Sequence, residues 1–143
     1  MRRIAIFLFC VFLAAPAASQ APANDIGADD RAAIRKTIED QIAAFRRDDG
    51  PAAFAFASPS IQSQFATPEI FMNMVRNGYA PVYRPRAVAF GELLRVESTL
   101  LQLVEIVGPD GAPVLAVYEM ERHGDGSWRI AGCVLYAVDR RAT

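Results

Sequence analysis

Residues 99–138 read TLLQLVEIVGPDGAPVLAVYEMERHGDGSWRIAGCVLYAV, and their punctuation decides the fold. Three runs rich in Val, Ile, Leu and aromatic residues, Thr99 to Val107, Val114 to Glu121 and Trp128 to Val138, are separated by Gly108-Pro109-Asp110-Gly111 and His123-Gly124-Asp125-Gly126. Both interruptions carry the Gly and Asp that tight turns require, so the three runs form an antiparallel meander. Arg86 to Val96, just upstream, has the same composition and supplies a fourth strand. Alternation within the strands is imperfect. In the last one Trp128, Ile130, Gly132, Val134, Tyr136 and Val138 share one face and Arg129, Ala131, Cys133, Leu135 and Ala137 the other, and apart from Arg129 both faces are non-polar. In Val114 to Glu121 the split is Val114, Ala116, Tyr118, Met120 against Leu115, Val117, Glu119, Glu121. A sheet covered on one side and still apolar on the other tends to bury that second side too, which leads us to expect a homodimer packed through the open sheet face.

Upstream of the strands, residues 45–85 read FRRDDGPAAFAFASPSIQSQFATPEIFMNMVRNGYAPVYRP, a lid-like segment with five Phe, two Tyr and no His, Cys or Lys. Ser58-Pro59 and Thr67-Pro68-Glu69 each place a hydroxyl where it accepts from the first free amides of a helix, with Pro at the first helical position. After the second start, Ile70, Phe71, Met74 and Val75 fall on one helical face, and Asn77-Gly78 supplies a stop. Helices this short are marginal alone and must lie on the sheet. Ahead of them, Ile34, Ile38, Ile42 and Phe45 form one stripe of a longer helix running from Asp29 or Asp30 to about Arg47, with Arg35, Lys36, Glu39 and Asp40 turned outward. Arg46, Arg47, Asp48 and Asp49 make a charged corner before Gly50-Pro51, and Ala52 to Ala57 continue as a short apolar helical turn. Helices first and strands afterwards give an α+β fold with the helices on one face of the sheet.

The chain starts Met1-Arg2-Arg3, continues with a ten-residue apolar run from Ile4 to Leu13 and then offers small residues. This pattern is that of a cleavable secretory signal peptide, too short to stay in a bilayer as a permanent helix, with cleavage after Ser19. The expected organisation is a signal peptide over 1–19, an Ala/Pro-rich connector over 20–28, a single domain over 29–138 and a tail over 139–143, in a protein that is periplasmic or secreted and free of the membrane after cleavage. Loss of Arg2 and Arg3 changes 15 basic and 16 acidic residues to 13 and 16, a net charge of -3. A mildly acidic domain has no electrostatic reason to bind nucleic acid. Cleavage also removes Cys10, leaving Cys133 without an intramolecular disulfide partner.

Few residues point to chemistry. His123 is the one histidine and falls in a turn, so no triad or histidine metal cluster can be built on it. Cys133 lies mid-strand among apolar neighbours and reads as a packing residue. With one mature Cys and one His, a zinc site is not expected; nor is any cofactor, since no phosphate loop, dinucleotide fingerprint or nucleophile elbow is present.

Phe54-Ala55-Phe56-Ala57-Ser58-Pro59 with Ile61-Gln62, Phe65, Thr67-Pro68, Phe71, Met74-Val75, Tyr79 and Pro81-Val82 resembles an exported bacterial family, domain of unknown function 4864. N-terminal helices, a curved antiparallel sheet and the closing hairpin Gly124-Asp125-Gly126-Ser127-Trp128-Arg129-Ile130 are similar, more broadly, to the nuclear transport factor 2-like (SnoaL-like, cystatin-like) cone fold. The broad resemblance implies a cone-shaped pocket but no single activity, because that fold hosts isomerases, dehydratases, cyclases and non-catalytic modules. In such a cone Tyr79, Tyr83, Arg84 and Arg86 would stand at the mouth, where phenols and a guanidinium can hold the polar end of a ligand while Phe54, Phe71 and Met74 cover its body. A purely structural role for the same residues is the competing reading. Three functions follow. The first is a non-catalytic module for a small apolar or amphipathic ligand or a protein partner. The second is a cofactor-free isomerase or lyase, with Glu119 as base and Tyr79 or Tyr118 as donor; against it, Glu119 and Glu121 also suit a solvated edge paired with Arg129 and Arg122. The third is an interaction protein that uses the open sheet face.

Overall fold

The computed structural model describes residues 20–139, so the signal-peptide reading of residues 1–19 and the end of the tail lie outside the described residues. Five helices, α1 Ala28–Arg46, α2 Gly50–Ala55, α3 Pro59–Phe65, α4 Pro68–Gly78 and α5 Ala80–Tyr83, precede the strands β2 Ala87–Val96, β3 Thr99–Val107, β4 Pro113–Arg122 and β5 Trp128–Ala137. Ahead of them all stands β1, Gln20–Pro22. The sheet is antiparallel throughout, in the order β1-β2-β3-β4-β5, and the helices pack on one of its faces. This is the α+β architecture the sequence implies, consistent with a cone of the nuclear transport factor 2-like kind.

The expected connector over 20–28 needs correction. Gln20–Pro22 pairs with Leu94–Val96, Ala23 N donates to Leu93 O at 3.0 Å, and Ala23 is fully buried. Arg31 holds the turn that follows, donating to Ile26 O and Ala23 O, and Arg95 pairs with Asp25 at 2.7 Å. Proline is tolerated because β1 is an edge strand.

The helix starts form as their residues require. Ser58 accepts from Ile61 N and Thr67 from Ile70 N, each followed by Pro, and Asp49 caps α2 through Ala52 N at 3.1 Å. On α1 the stripe Ile34, Ile38, Ile42, Phe45 is buried, while Arg35–Glu39 and Lys36–Asp40 pair on the outer side. On α4 the buried set is Phe71, Met72 and Val75, and Ile70 is 53% exposed. The expected face is thus rotated by about one residue. Phe71 anchors it, with the rings of Phe45, Phe54 and Phe65 at 6.1, 5.3 and 5.7 Å.

Two bulges decide what the sheet presents. In β5 the register steps from Glu119↔Gly132 to Met120↔Ile130, leaving Ala131 as an extra residue. Because side chains alternate with period two, one inserted residue exchanges the faces beyond it. Trp128 and Ile130 face the helices, but past the bulge it is Cys133, paired with Tyr118, and Leu135, paired with Ala116, that face them. Val134 and Tyr136, expected on the same face as Trp128, turn to the open face and are 51% and 55% exposed. The second bulge places Gly91 and Glu92 of β2 opposite Leu103 alone. Buried Gln102 answers it: its amide donates to Gly91 O at 3.0 Å and to Leu103 O at 2.9 Å.

Candidate functional site

Between the helices and the β4–β5 end of the sheet lies a cavity of about 370 Å³. α1 contributes Gln41 and Phe45, α3 Ile61 and Phe65, and α4 Phe71 and Met74. Tyr79 follows α4, while Tyr118, Ile130 and Cys133 form the floor. Cys133 is on the floor because Ala131 is bulged out of the pairing; with unbroken alternation Gly132 and Val134 would share the side of Ile130. Tyr79 is fixed by its hydroxyl, which donates to Cys133 O at 2.9 Å. Gln41 is buried in the α1 stripe and donates its amide to Ala53 O at 3.1 Å, tying α2 to α1 beside the cavity.

The seven residues expected to form the site are divided by the structure. Phe71, Met74 and Tyr79 are in the cavity wall, and Phe54 stands behind Phe71. Tyr83 and Arg84 instead belong to a surface cluster around Asp48. The Tyr83 hydroxyl donates to the Asp48 carboxylate, Arg84 reaches it at 3.0 Å and Phe45 O at 2.6 Å, and Arg76 joins at 3.5 Å. Arg84 also lies 3.9 Å over the Tyr83 ring. The cluster fastens the end of α1, where Asp48 has φ 54°, to α4 and α5. Short Asp and Asn side chains are those that tolerate this left-handed conformation best. Arg86 is exposed at the start of β2, its amide bonded to Val107 O. The position of Glu119 removes the expected catalytic base: it pairs with Gly132 across the sheet and is exposed on the face opposite Tyr118. Glu121 pairs with His123 at 2.8 Å, Arg122 with Asp30 at 3.2 Å, and Arg129 donates to Ala55 O, in place of the expected pairing of Glu119 and Glu121 with Arg129 and Arg122.

The model of one family, Domain of unknown function (DUF4864), matches residues 27–143. The chain belongs to the DUF4864 family. No curated protein and no solved structure matches it. The site of this DUF4864 domain is electrostatically quiet. No Asp, Glu, Lys, Arg or His is among the described residues lining the cavity. Burial pushes the Cys133 thiol up to about 12, the nearby Tyr118 hydroxyl pulling the other way. Burial likewise holds Tyr118 well above the ordinary phenol range, with Cys133 adding to the effect, and raises Tyr79 for the same two reasons. At neutral pH all three are therefore uncharged. No group of three or more His, Cys, Asp or Glu among the described residues is arranged to hold a metal. Such a wall can enclose an apolar body and offer neutral hydrogen bonds; it presents no ionised base.

Sequence reasoning missed Gln41, Ile61 and Ile130 as wall residues. Gln41 had a signal, being a polar residue inside the apolar stripe of α1.

Proposed function

We propose that this is an exported, non-catalytic binding module whose cavity takes a small, largely apolar molecule, on a cone of the SnoaL-like kind. The observation that carries this reading is the cavity itself: about 370 Å³ of space walled by Phe, Met, Ile and Tyr side chains. That volume is at the lower end of the range for small-molecule sites, and packed cores do not ordinarily leave so much space empty. Phe71 and Met74 supply the apolar wall and Tyr79 a polar edge, whereas Tyr83 and Arg84 hold the shell together outside it and Arg86 is exposed. The isomerase reading loses support because its base, Glu119, is on the other side of the sheet.

The test is titration with N-phenyl-1-naphthylamine, an uncharged dye that fluoresces in apolar surroundings. One saturable site is expected, abolished by Met74→Trp, which fills the cavity. Absence of saturable binding, or equal binding by a folded Met74→Trp variant, overturns the reading.

A second reading concerns the open sheet face, where Leu103, Val117 and Val134 form one row across three strands, flanked by Leu115 and Tyr136. Exposed apolar surface of this kind supports self-association into a homodimer.

A further inference from the structure

Gln41 is a polar residue inside the apolar stripe of α1, 4% exposed, and it stands in the cavity wall. A primary amide is costly to bury unless its groups are met, because each unmet one has given up water and gained nothing. One half of this amide is met, since Nε2 donates to Ala53 O at 3.1 Å. That bond also fixes how the amide lies, with its nitrogen against α2 and its carbonyl oxygen turned away from it. Oε1 accepts no hydrogen bond within the described residues, and it is not sealed in packing either, a condition in which the Tyr118 hydroxyl alone is found. Because the rest of Gln41 is buried, what Oε1 opens on is the cavity.

The other polar groups of the wall are accounted for. The Tyr118 hydroxyl lies beside the Cys133 thiol and is closed off from the cavity. The Tyr79 hydroxyl spends its proton on Cys133 O, so it too is left as an acceptor. No ionised group lines the wall, and an anionic or cationic ligand would bury its charge there unpaired, which proteins avoid. Resting on the cavity reading above, we infer that the ligand is an uncharged molecule whose apolar body carries a neutral hydrogen-bond donor, a hydroxyl or an N–H, that donates to Gln41 Oε1. An open acceptor is otherwise served by water, and a ligand without a donor displaces that water at a loss. Space for roughly a dozen water volumes limits the ligand to one or two small rings or a short chain.

Displacement of N-phenyl-1-naphthylamine by three molecules of matched size tests this: 3-phenylpropan-1-ol, its isomer 2-phenylethyl methyl ether, which has the same atoms and no donor, and the ammonium form of 3-phenylpropylamine. At pH 7 the alcohol is expected to displace the dye at about fivefold lower concentration than the ether, the strength of one net hydrogen bond, and the ammonium to be the weakest of the three. Gln41→Met, which keeps the length of the side chain and removes its oxygen, should bring the alcohol to the level of the ether, each constant being corrected for that variant's own affinity for the dye. Should Gln41→Met not fold, the side-chain amide resonances of Gln41 in the wild type take its place and are expected to shift further with the alcohol than with the ether. Equal displacement by alcohol and ether in the wild type, an undiminished alcohol preference in folded Gln41→Met, amide resonances that respond alike to both, or an ammonium that competes as well as the alcohol each overturns the inference while the cavity reading stands. Failure of the dye to bind the wild type at all overturns both.

Discussion

Cys133 and Asp48 show how differently two side chains of one small domain respond to pH. With its thiol held near 12, Cys133 is a thiolate about one part in ten thousand at pH 8, against about a quarter for an ordinary thiol. In protein freed of residues 1–19, Cys133 is the one thiol, and Ellman's reagent should find almost none until denaturant is added, then one per chain. Rapid reaction of the folded protein would contradict the cavity floor described above. Asp48 responds in the opposite direction. The Tyr83 hydroxyl, together with the Arg84 and Arg76 guanidinium groups, holds its carboxyl below the ordinary value of 3.8. A depressed folded-state pKa stabilises above the unfolded value and is lost as pH falls through the folded one, so this contribution is complete at neutral pH and fades below about pH 4. Asp48→Asn, which keeps the left-handed backbone favourable, should lower the urea midpoint at pH 7 by clearly more than it does at pH 3. A loss of equal size at both pH values would show that charge is not what the cluster supplies. Of these residues, the packing role of Cys133 was legible in its apolar neighbours. The fastening role of Tyr83 and Arg84 was not, because it depends on Asp48, some 35 positions away in sequence, and no local pattern joins them.

At the scale of elements, the two bulges fix which residues the sheet turns inward, and Gln102 is the device that makes one of them tolerable. Replacing it by Leu leaves the carbonyls of Gly91 and Leu103 without their side-chain donor in a buried strand, at a cost of about 2 kcal/mol. Chemical denaturation of Gln102→Leu against wild type measures this, and a loss below about 0.5 kcal/mol would mean that water serves the bulge equally well. Element boundaries were largely readable: hydroxyl-Pro starts located α3 and α4, and Gly-Asp-Gly turns located β3, β4 and β5 to within a residue or so. The strand faces were readable only as far as Ile130. An inserted residue leaves composition and alternation looking unbroken while exchanging inside for outside, and Ala131 bears no mark of being the extra one. Three-residue β1 and four-residue α5 are shorter than any periodicity can register.

For the molecule as a whole, helices preceding strands sufficed for the α+β class, since the two periodicities are long and distinct. Whether the space beneath the helices is open or filled was not legible. It follows from the rotation of α4 by about one residue and from the bulge that brings Cys133 to the floor, neither of which has a sequence signature. The outer face of the sheet has a consequence at this scale. Val134, Tyr136, Leu103, Leu115 and Val117 form a mostly apolar surface edged by Glu105 and Glu119. Light scattering after size exclusion should find two chains per particle at tens of micromolar, and the double change Val134→Lys and Tyr136→Lys should return single folded chains. A monomeric wild type would remove the homodimer.

Native mass spectrometry of protein purified from its own cells reads the occupancy of the cavity directly. A non-covalent extra mass is expected on each chain, released on denaturation and missing from Met74→Trp. A wild-type chain that carries nothing, and that the dye does not saturate, would overturn the cavity as a binding site.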